Sequence, residues 1–374
     1  MKYIFFYSNH LEGDNTIGIT QKVHGEISAL KKLGYNVTYS AYTSKGAAIF
    51  NDKEEKIFEL KFKFMNKKLN RILRRNLLIK CCCKFLEINN NFDFAYLRFH
   101  FFDREYNKLL KLLKISNVYT IIEAHAFPYR IWKKKRFWLT YIIDMLYTPI
   151  VRNKIDLVAI MGNEKKPWGI KSVQIDNGID LDKYPLSESN KSSKIRLISV
   201  SNEQEGHAYY KIINGLDRYY QEGGTEDIIV NFVGVYMDST KKLVNSKKIC
   251  NRFKFLGKMS GNELNLIFNQ SDLGLGAFSH RKNDTGSCIK TKEYFARGIP
   301  FINGWNEMAF SSDYPYVLKV DPKEEIVDFF KIVDFYKKVI VDVNKGVKMR
   351  EFARNHYTWL SQMNIVMSEA ENTL

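Results

Sequence analysis

The first forty residues, MKYIFFYSNHLEGDNTIGITQKVHGEISALKKLGYNVTYS (Met1–Ser40), decide the fold because they contain one complete strand–loop–helix–strand unit. Lys2–Tyr7 is an apolar run of strand length, and a polar loop with glycine follows it. The next apolar residues recur at the spacing of one helix face, and Gly34 is the expected helix stop. Tyr35–Tyr39 is the second predicted strand. Strands joined by a helix run parallel, so the unit predicts a parallel sheet covered by helices.

The pattern restarts in the second half of the chain. Residues Leu186–Lys194, LSESNKSSK, are polar and rich in serine, and they form the best predicted linker. Another strand, Ile195–Val200, and another helix, Tyr209–Gln221, follow it. A chain of 374 residues is also too long for one ordinary core. We therefore predict an α/β protein with two Rossmann-like domains facing across a cleft. The predicted domains are an N-terminal one over 1–186, a C-terminal one over 187–345, and a helical segment over 346–374 that can cross back to the first.

The chain is strongly basic, with a formal net charge of +17. Nine Lys or Arg and no acidic residue lie between Lys61 and Lys84, and Arg130–Trp138 interleaves basic with aromatic residues. Such patches favour a phosphate-rich partner: nucleic acid, an anionic membrane face or a lipid diphosphate. A solvated basic surface without a partner is the alternative. None of the usual nucleic-acid-binding motifs is present, so we predict no nucleic-acid partner.

Cysteine usage and hydropathy indicate the compartment. The five cysteines are an odd number without a CxxC pair, which is typical of a reducing environment. No apolar run reaches the roughly 18 residues that cross a bilayer, and the N-terminal run is too short for a secretory signal. We predict a cytoplasmic protein, either soluble or peripheral on the inner face of the cell membrane.

Cofactor motifs are absent from the sequence. Gly274-Leu-Gly276 lacks the third glycine of dinucleotide-binding loops and lies within a predicted strand, which excludes a nicotinamide cofactor. The seven histidines show no HxxxH or HExxH spacing, so the metal prediction is none. The sequence therefore predicts chemistry without a bound cofactor.

Two loops after predicted strands carry residues suited to chemistry, because ligands of open parallel sheets bind at the carboxyl ends of strands. Backbone N–H groups at Gly18, where the first helix begins, can approach a phosphate, although a simple tight turn is equally compatible. Glu123-Ala-His125 ends another strand. His125 can act there as a general base or polarise a donor group, the alternative being a structural histidine.

The stretch Asp284–Pro300, DTGSCIKTKEYFARGIP, is the most informative for function. A Gly-Ser loop enters a predicted helix whose first turns carry Lys290, Lys292 and Glu293. Loop N–H groups and two ammonium groups can hold a diphosphate, while Glu293 can accept hydrogen bonds from ribose hydroxyls. An amphipathic helix with surface charges is the alternative interpretation.

This stretch resembles the donor-binding helix of retaining glycosyltransferases of the GT-B fold, especially family four and its bacterial surface-polysaccharide branch. In that family a Glu shortly before a G-x-P stop binds the nucleotide ribose, and Glu293 precedes Gly298-Ile-Pro300 by five residues. A partner Glu eight residues earlier contacts the donor sugar. Thr285 stands there in this chain, which departs from the family pattern.

Other segments carry the same resemblance. Gly206–Leu216, GHAYYKIINGL, is similar to the family segment in which an Arg binds the donor diphosphate; Lys211 keeps the charge but loses the planar fork. Phe253–Gly257, FKFLG, is similar to the strand before a loop that lies against the base, which implicates Lys258 and Met259. Further matches are the opening helix with the second strand, the DNGID turn at 176–180, and the acceptor-side loop after Glu123 with Tyr129.

The resemblance implies metal-independent retaining transfer of a sugar from a nucleotide-sugar substrate, a UDP-sugar by preference. The implied acceptor is a growing surface glycan, capsule or lipopolysaccharide, on a lipid diphosphate at the anionic membrane face. A non-catalytic glycosyltransferase-like subunit, a sugar-nucleotide epimerase of the same fold and a nucleic-acid-binding protein stay open as alternatives. The implied site residues are His125, Lys211 and Lys290 for catalysis; Gly18, Asn202, His207, Lys258, Met259, Ser287, Cys288, Ile289, Thr291, Lys292 and Glu293 for the donor; and Glu123, Tyr129 and Arg130 on the acceptor side.

Overall fold

The computed structural model describes residues 1–12, 18–61, 71–125, 138–162, 164–188, 192–279, 288–305, 307, 310–311 and 313–373. The chain divides into two compact units, which are described separately. One unit comprises Met1–Gly178 together with Trp359–Leu374, and the other comprises Ile179–Thr358.

The Met1–Gly178 unit is built on an eight-stranded sheet of order β4-β3-β2-β1-β5-β6-β7-β8. The strands are β1 Tyr3–Tyr7, β2 Asn36–Tyr42, β3 Gly46–Phe50, β4 Lys56–Lys61, β5 Phe94–Arg98, β6 Tyr119–Ala124, β7 Leu157–Ile160 and β8 Ser172–Gln174. Strands from β2 across to β8 are parallel, while β3 and β4 add an antiparallel edge. The parallel part is what the sequence of the first forty residues predicts, and the edge hairpin is an addition to it.

Helices cover both faces of this sheet. They are α1 Gly18–Lys32, α2 Arg71–Leu86, α3 Arg104–Ile115, α4 Trp138–Val151 and the C-terminal α11 Trp359–Glu371. Because successive strand side chains point to opposite faces, Phe5 of β1 packs with the α2 and α3 side while Phe6 packs with α1 and α11. Burial on both faces explains why β1 is a nearly continuous apolar run.

The Ile179–Thr358 unit has a six-stranded sheet of order β11-β10-β9-β12-β13-β14 in which all pairs are parallel. The strands are β9 Ile195–Asn202, β10 Ile228–Val235, β11 Phe253–Gly257, β12 Leu273–Leu275, β13 Phe301–Asn303 and β14 Val317–Lys319. The helices are α5 Tyr210–Gln221, α6 Asp238–Asn245, α7 Gly261–Asn269, α8 Ile289–Arg297, α9 Phe329–Ile340 and α10 Lys345–His356. The predicted α/β class is confirmed. Strand β14 pairs with β13 and forms the edge of this sheet.

Helix α8 carries Lys290, Lys292 and Glu293 as predicted, and it ends at the predicted Gly298-Ile-Pro300 stop. Gly298 follows its last residue with φ +70°, a left-handed conformation that glycine adopts without strain. A Cβ at Gly298 would also meet the Cα of Gly346 at 2.4 Å. The N–H of Gly298 donates to the Phe295 carbonyl, and Pro300 cannot continue the helix. These constraints explain the Gly-Ile-Pro stop and fix the orientation of α8 against β13.

Candidate functional site

The N-terminus of α8 lies at the carboxyl edge of the Ile179–Thr358 sheet. Lys290, in its first turn, is buried, and its Nζ donates to the Tyr209 hydroxyl at 2.7 Å and to the Gly276 carbonyl at 3.5 Å. Gly276 follows β12, and Tyr209 immediately precedes α5. Burial lowers the pKa of Lys290. Both of these hydrogen-bond partners are uncharged, while the carboxylates of Glu307 and Glu203 act against the fall in the pKa of Lys290.

Tyr209 is the residue that holds the Lys290 ammonium. Its hydroxyl lies 2.5 Å from Oγ of Ser199 and 3.1 Å from Oγ of Ser201, both on β9. Burial raises the pKa of Tyr209, so the phenol stays protonated and accepts from Lys290 while donating to a serine. The Tyr209 hydroxyl therefore links strand β9 and the first turn of α8 to the start of α5.

The second lysine of α8 points elsewhere. Lys292 is fully buried, and its Nζ lies 5.6 Å from the centroid of the Tyr357 ring. Residues two positions apart on a helix do not share a face. The sequence interpretation assigns the ammonium groups of Lys290 and Lys292 to one diphosphate, but in the structure they lie on different faces of α8.

Glu293 is directed along its own helix. Its Oε1 accepts from Nε of Arg297 at 2.8 Å, the spacing of one helical turn. Burial raises the pKa of Glu293, while the Arg297 guanidinium acts in the opposite direction. Arg297 is itself held by Asn265, whose Oδ1 accepts from Nη1 at 2.9 Å. The carboxylate is thus oriented by a fixed arginine at the carboxyl-terminal end of α8.

Lys211 lies near the start of α5 and is also buried. Its Nζ donates to the Pro322 carbonyl at 2.8 Å, in the segment after β14. The contact gives Lys211 a different partner from the pair formed by Lys290 and Tyr209. The structure therefore places these two predicted diphosphate-binding residues in separate hydrogen-bond arrangements.

The other predicted donor residues of this unit lie at a strand end, on loops and at the start of α8. Asn202 ends β9 and is exposed, whereas His207 is half-buried and its Nδ1 accepts from the Gln204 N–H at 3.1 Å. Lys258 and Met259 directly follow β11; the lysine is exposed and the methionine packs against the core. Cys288 is half-buried and Ile289 exposed, while Ser287 lies outside the described residues, as do Asp284 and Thr285.

A buried carboxylate that the sequence interpretation missed lies against the first turn of α8. Glu307 accepts from Oγ1 of Thr291 at 2.6 Å, from the Cys288 N–H at 3.4 Å and from Nδ2 of Asn303 at 3.1 Å. A negative charge is favourable at a helix N-terminus, so Glu307 fixes the position of that turn. The sequence feature that could have identified Glu307 is its position, four residues after β13 in a loop at the carboxyl edge of the sheet.

In the Met1–Gly178 unit, His125 follows β6 and its side chain is 36% exposed. Its Nε2 contacts Nη2 of Arg98 and lies 3.5 Å from Oε1 of Glu123. Burial lowers the pKa of His125 to about 4, although the Glu123 carboxylate acts in the opposite direction. A guanidinium can only donate, so Nε2 of this neutral imidazole accepts and Nδ1 carries the proton. His125 therefore offers an N–H donor rather than a free basic nitrogen.

A buried charge network supports His125. Nζ of Lys22 lies 2.7 Å from Oε1 of Glu123 and 3.3 Å from Oε1 of Glu26, and Arg98 lies within 3.9 Å of both carboxylates. Burial raises the pKa of Glu26 to about 7, and the neighbouring Glu123 adds to the rise. Burial opposes ionisation of Glu123 too, but His125, Lys22 and Arg98 together lower its pKa.

The other predicted acceptor-side residues are Glu123, Tyr129 and Arg130, and the structure shows none of them at the protein surface within the residues that it describes. Glu123 is fully buried, and its carboxylate contacts Lys22, Arg98 and His125. Tyr129 and Arg130 lie outside the described residues. Gly18 is the first residue of α1, at the position where a helix N-terminus was predicted.

No protein-family model matches the chain, and no curated protein sequence matches it significantly. In three dimensions the chain has the α/β fold of GT-B glycosyltransferases. A glycosyltransferase from Rickettsia africae aligns over 99% of this chain and 98% of its own, with a TM-score of 0.64 and 13% identity. The Anabaena protein HepE in complex with UDP aligns over 100% of both chains, with a TM-score of 0.58 and 11% identity.

A lipopolysaccharide outer-core galactosyltransferase in its apo form is a third similar structure. It aligns over 99% of this chain and 100% of its own, with a TM-score of 0.57 and 14% identity. Identities this low establish the shared fold. The chemistry has to be argued from the residues of this chain.

Proposed function

We propose that the chain is a glycosyltransferase that transfers a sugar from a nucleotide-sugar, a UDP-sugar by preference, to a glycan acceptor with retention of configuration. The observation that carries the proposal is the buried ammonium of Lys290, held by Tyr209 and Gly276 at the N-terminus of α8. A diphosphate placed there meets an ammonium group and helix N–H groups together. A protein of similar fold is known in complex with UDP, which supports a nucleotide-sugar as the donor class.

In the proposed reaction, the bond between the anomeric carbon and the diphosphate oxygen breaks while the acceptor hydroxyl bonds to the same carbon. The proton of that hydroxyl passes to the departing diphosphate. Lys290 and the α8 N-terminus stabilise the negative charge that develops on the leaving group, in the place where other enzymes use a metal ion. Glu293 is proposed to accept from the ribose hydroxyls. His125 is proposed to donate its Nδ1 proton to the donor sugar or to the acceptor.

Donor turnover tests this function directly. We expect UDP to raise the melting temperature of the chain more than GDP or ADP does, because a ligand bound only by the native state stabilises it. We also expect slow release of UDP from a UDP-sugar, continuing in EDTA. The matched control is heat-inactivated protein at the same concentration. Absence of both binding and release with every nucleotide-sugar tried would contradict the proposal.

A second candidate is a glycosyltransferase-like subunit without its own activity. Two observations favour it: Thr285 stands where the family has a Glu, and the ammonium of Lys211 is bound by the Pro322 carbonyl. Such a subunit would bind a nucleotide without releasing UDP from any sugar donor. The assay described above separates the two candidates, because only the enzyme gives release above the inactivated control.

The proposed acceptor is a lipid-diphosphate-linked bacterial surface glycan, reached from the inner face of the membrane. No helix in the part of the chain that the structure describes is long and apolar enough to cross a bilayer. However, α4 buries only Val151 among its own residues. Its exposed apolar side chains are Trp138, Leu139, Tyr141, Met145, Leu146 and Ile150. In sequence α4 directly follows the basic stretch that begins at Arg130, and this combination supports binding in the plane of an anionic membrane.

Vesicle co-sedimentation tests the membrane proposal. We expect binding to vesicles of phosphatidylglycerol and phosphatidylcholine, and binding should weaken as salt rises. Replacing Leu146, which is 60% exposed, by Glu should reduce the bound fraction by about tenfold, because one buried Leu contributes about 1.5–3 kcal/mol. Ile115→Glu is the matched control, since Ile115 is an isolated exposed residue at the end of α3. Equal binding to anionic and neutral vesicles would contradict the proposal.

A further inference from the structure

The segment after β1 runs beside the end of β2. The N–H of Tyr42 donates to the His10 carbonyl at 2.8 Å, and the N–H of Glu12 donates to the Tyr42 carbonyl at 2.9 Å. Alternate residues of an extended segment point to the same side. His10 and Glu12 therefore share one face, while Leu11 between them packs with the opposite hydrophobic core.

Helix α1 brings a third side chain to this face. Nε2 of His10 lies 3.0 Å from Oε2 of Glu12, and Nε2 of His24 lies 3.6 Å from Oε1 of the same carboxylate. One ligand atom from each of the three residues lies within 4.8 Å of the other two. The two imidazole rings are nearly perpendicular, with centroids 5.3 Å apart. The carboxylate therefore lies between two imidazole nitrogens that converge on it.

Ser8 and Tyr39 lie against the imidazole rings of this cluster. Nδ1 of His10 lies 3.3 Å from the hydroxyl oxygen of Ser8, which leaves Nε2 as the nitrogen directed at the cluster. The Tyr39 ring is stacked near the His10 ring, with centroids 6.1 Å apart, and lies nearly perpendicular to the His24 ring, with centroids 6.3 Å apart. A partner on the outer nitrogen of a ligating histidine is the usual arrangement at protein metal sites.

We propose that His10, Glu12 and His24 bind a divalent transition-metal ion, with Zn²⁺ the best match to the donor set. Two imidazoles and one carboxylate form a known zinc set, with ligand distances of about 2.0–2.2 Å. In tetrahedral geometry those bonds place ligand atoms about 3.3 Å apart. The two imidazoles approach different oxygens of Glu12, and one ligand atom from each residue lies within 4.8 Å of the others, so small side-chain rotations bring the three to that spacing. Three protein ligands leave the fourth position to water.

The sequence pattern could not predict this site. One residue separates His10 from Glu12 and eleven separate Glu12 from His24, a spacing that matches no standard metal motif. Pairing of the first two residues with β2 and the position of His24 on α1 bring them together. The ion would fasten the segment after β1 to α1. The site lies within the Met1–Gly178 unit and does not rest on the proposed transferase function.

Metal titration of the full-length, untagged, EDTA-treated chain tests the proposal. We expect one equivalent of Zn²⁺ to bind in calorimetry and to raise the melting temperature. Co²⁺ should give visible absorption typical of nitrogen and oxygen ligands without a thiolate charge-transfer band. Ser8→Ala should weaken binding about 10–100-fold, and Glu12→Gln and His24→Ala should weaken it more. The matched control is His356→Ala, which removes an exposed imidazole of the other unit and should bind as wild type.

Two further measurements keep the result interpretable. Glu12 and His24 are only half-buried, and the metal-free variants should melt close to the metal-free wild-type chain, so lost binding is not lost folding. Failure of the wild-type chain to bind Zn²⁺ or Co²⁺ at stoichiometric excess would overturn the proposal. Unchanged binding in the Glu12 and His24 variants, or a thiolate band with Co²⁺, would also overturn it. Loss of donor turnover in EDTA would instead contradict metal-independent transfer and leave this site standing.

Discussion

Replacing Lys290 with Met should lower kcat/KM for nucleotide-sugar turnover by about 10²–10³-fold, the usual cost of removing one preorganised stabiliser of a charged transition state. Methionine keeps the length of the side chain and removes the charge. The Tyr209 hydroxyl and the Gly276 carbonyl hold the ammonium at the first turn of α8, where we propose that the leaving diphosphate binds. Steady-state release of UDP from the preferred UDP-sugar measures the effect.

The free protein should respond in the opposite direction. Replacing a buried charge by an apolar residue of similar volume is often neutral or stabilising, so Lys290→Met should not lower the melting temperature without ligand. The melting-temperature rise caused by UDP should shrink at the same time. Lys241→Met on α6 removes an exposed lysine of the same unit and serves as the control. Near wild-type turnover in Lys290→Met would remove Lys290 from the site.

The parts of the fold that alternate clearly between strand and helix were predictable from sequence. The β1–α1–β2 unit and the bounds of α8 follow from apolar spacing and from glycine at helix ends. The edge hairpin of β3 and β4 was not predicted. GAAIF at 46–50 is a short apolar run that fits a buried strand and a helix segment equally well. Its pairing with β2 depends on tertiary contacts rather than on local pattern.

The candidate site was predictable in its location and less so in its contacts. Sequence periodicity places Lys290 and Lys292 on α8, but only the helix orientation against the sheet shows which one reaches Tyr209. Similarly, the contact between His125 and Arg98 arises from the register of neighbouring strands, in which Arg98 pairs with Glu123. Glu307 reaches α8 through the loop after β13. Each of these contacts joins residues far apart in sequence, and none leaves a local signal.

His125→Ala should reduce kcat/KM by about 10²–10³-fold, whereas His125→Gln should retain a substantial part of the activity. The reason is the tautomer: Nε2 accepts from Arg98, which leaves Nδ1–H as a donor, and a glutamine amide can donate as well. A general base would be lost in both variants. Equal, complete loss in the two variants would therefore contradict the donor role and favour base catalysis.

The pH profile provides an independent check on His125. Its pKa is lowered to about 4, chiefly by burial, so the imidazole stays neutral as pH falls from 8 to 6. The contribution of His125 to kcat/KM should then be constant over this range and decline only as the pH approaches 4. An ordinary histidine, with a pKa near 6.5, would protonate within the range. Glu26, whose pKa is about 7, is the neighbouring group that titrates there. The profile should therefore be measured in Glu26→Gln as well as in wild type. A decline near pH 6.5 that persists in Glu26→Gln would show that His125 does not stay neutral over this range.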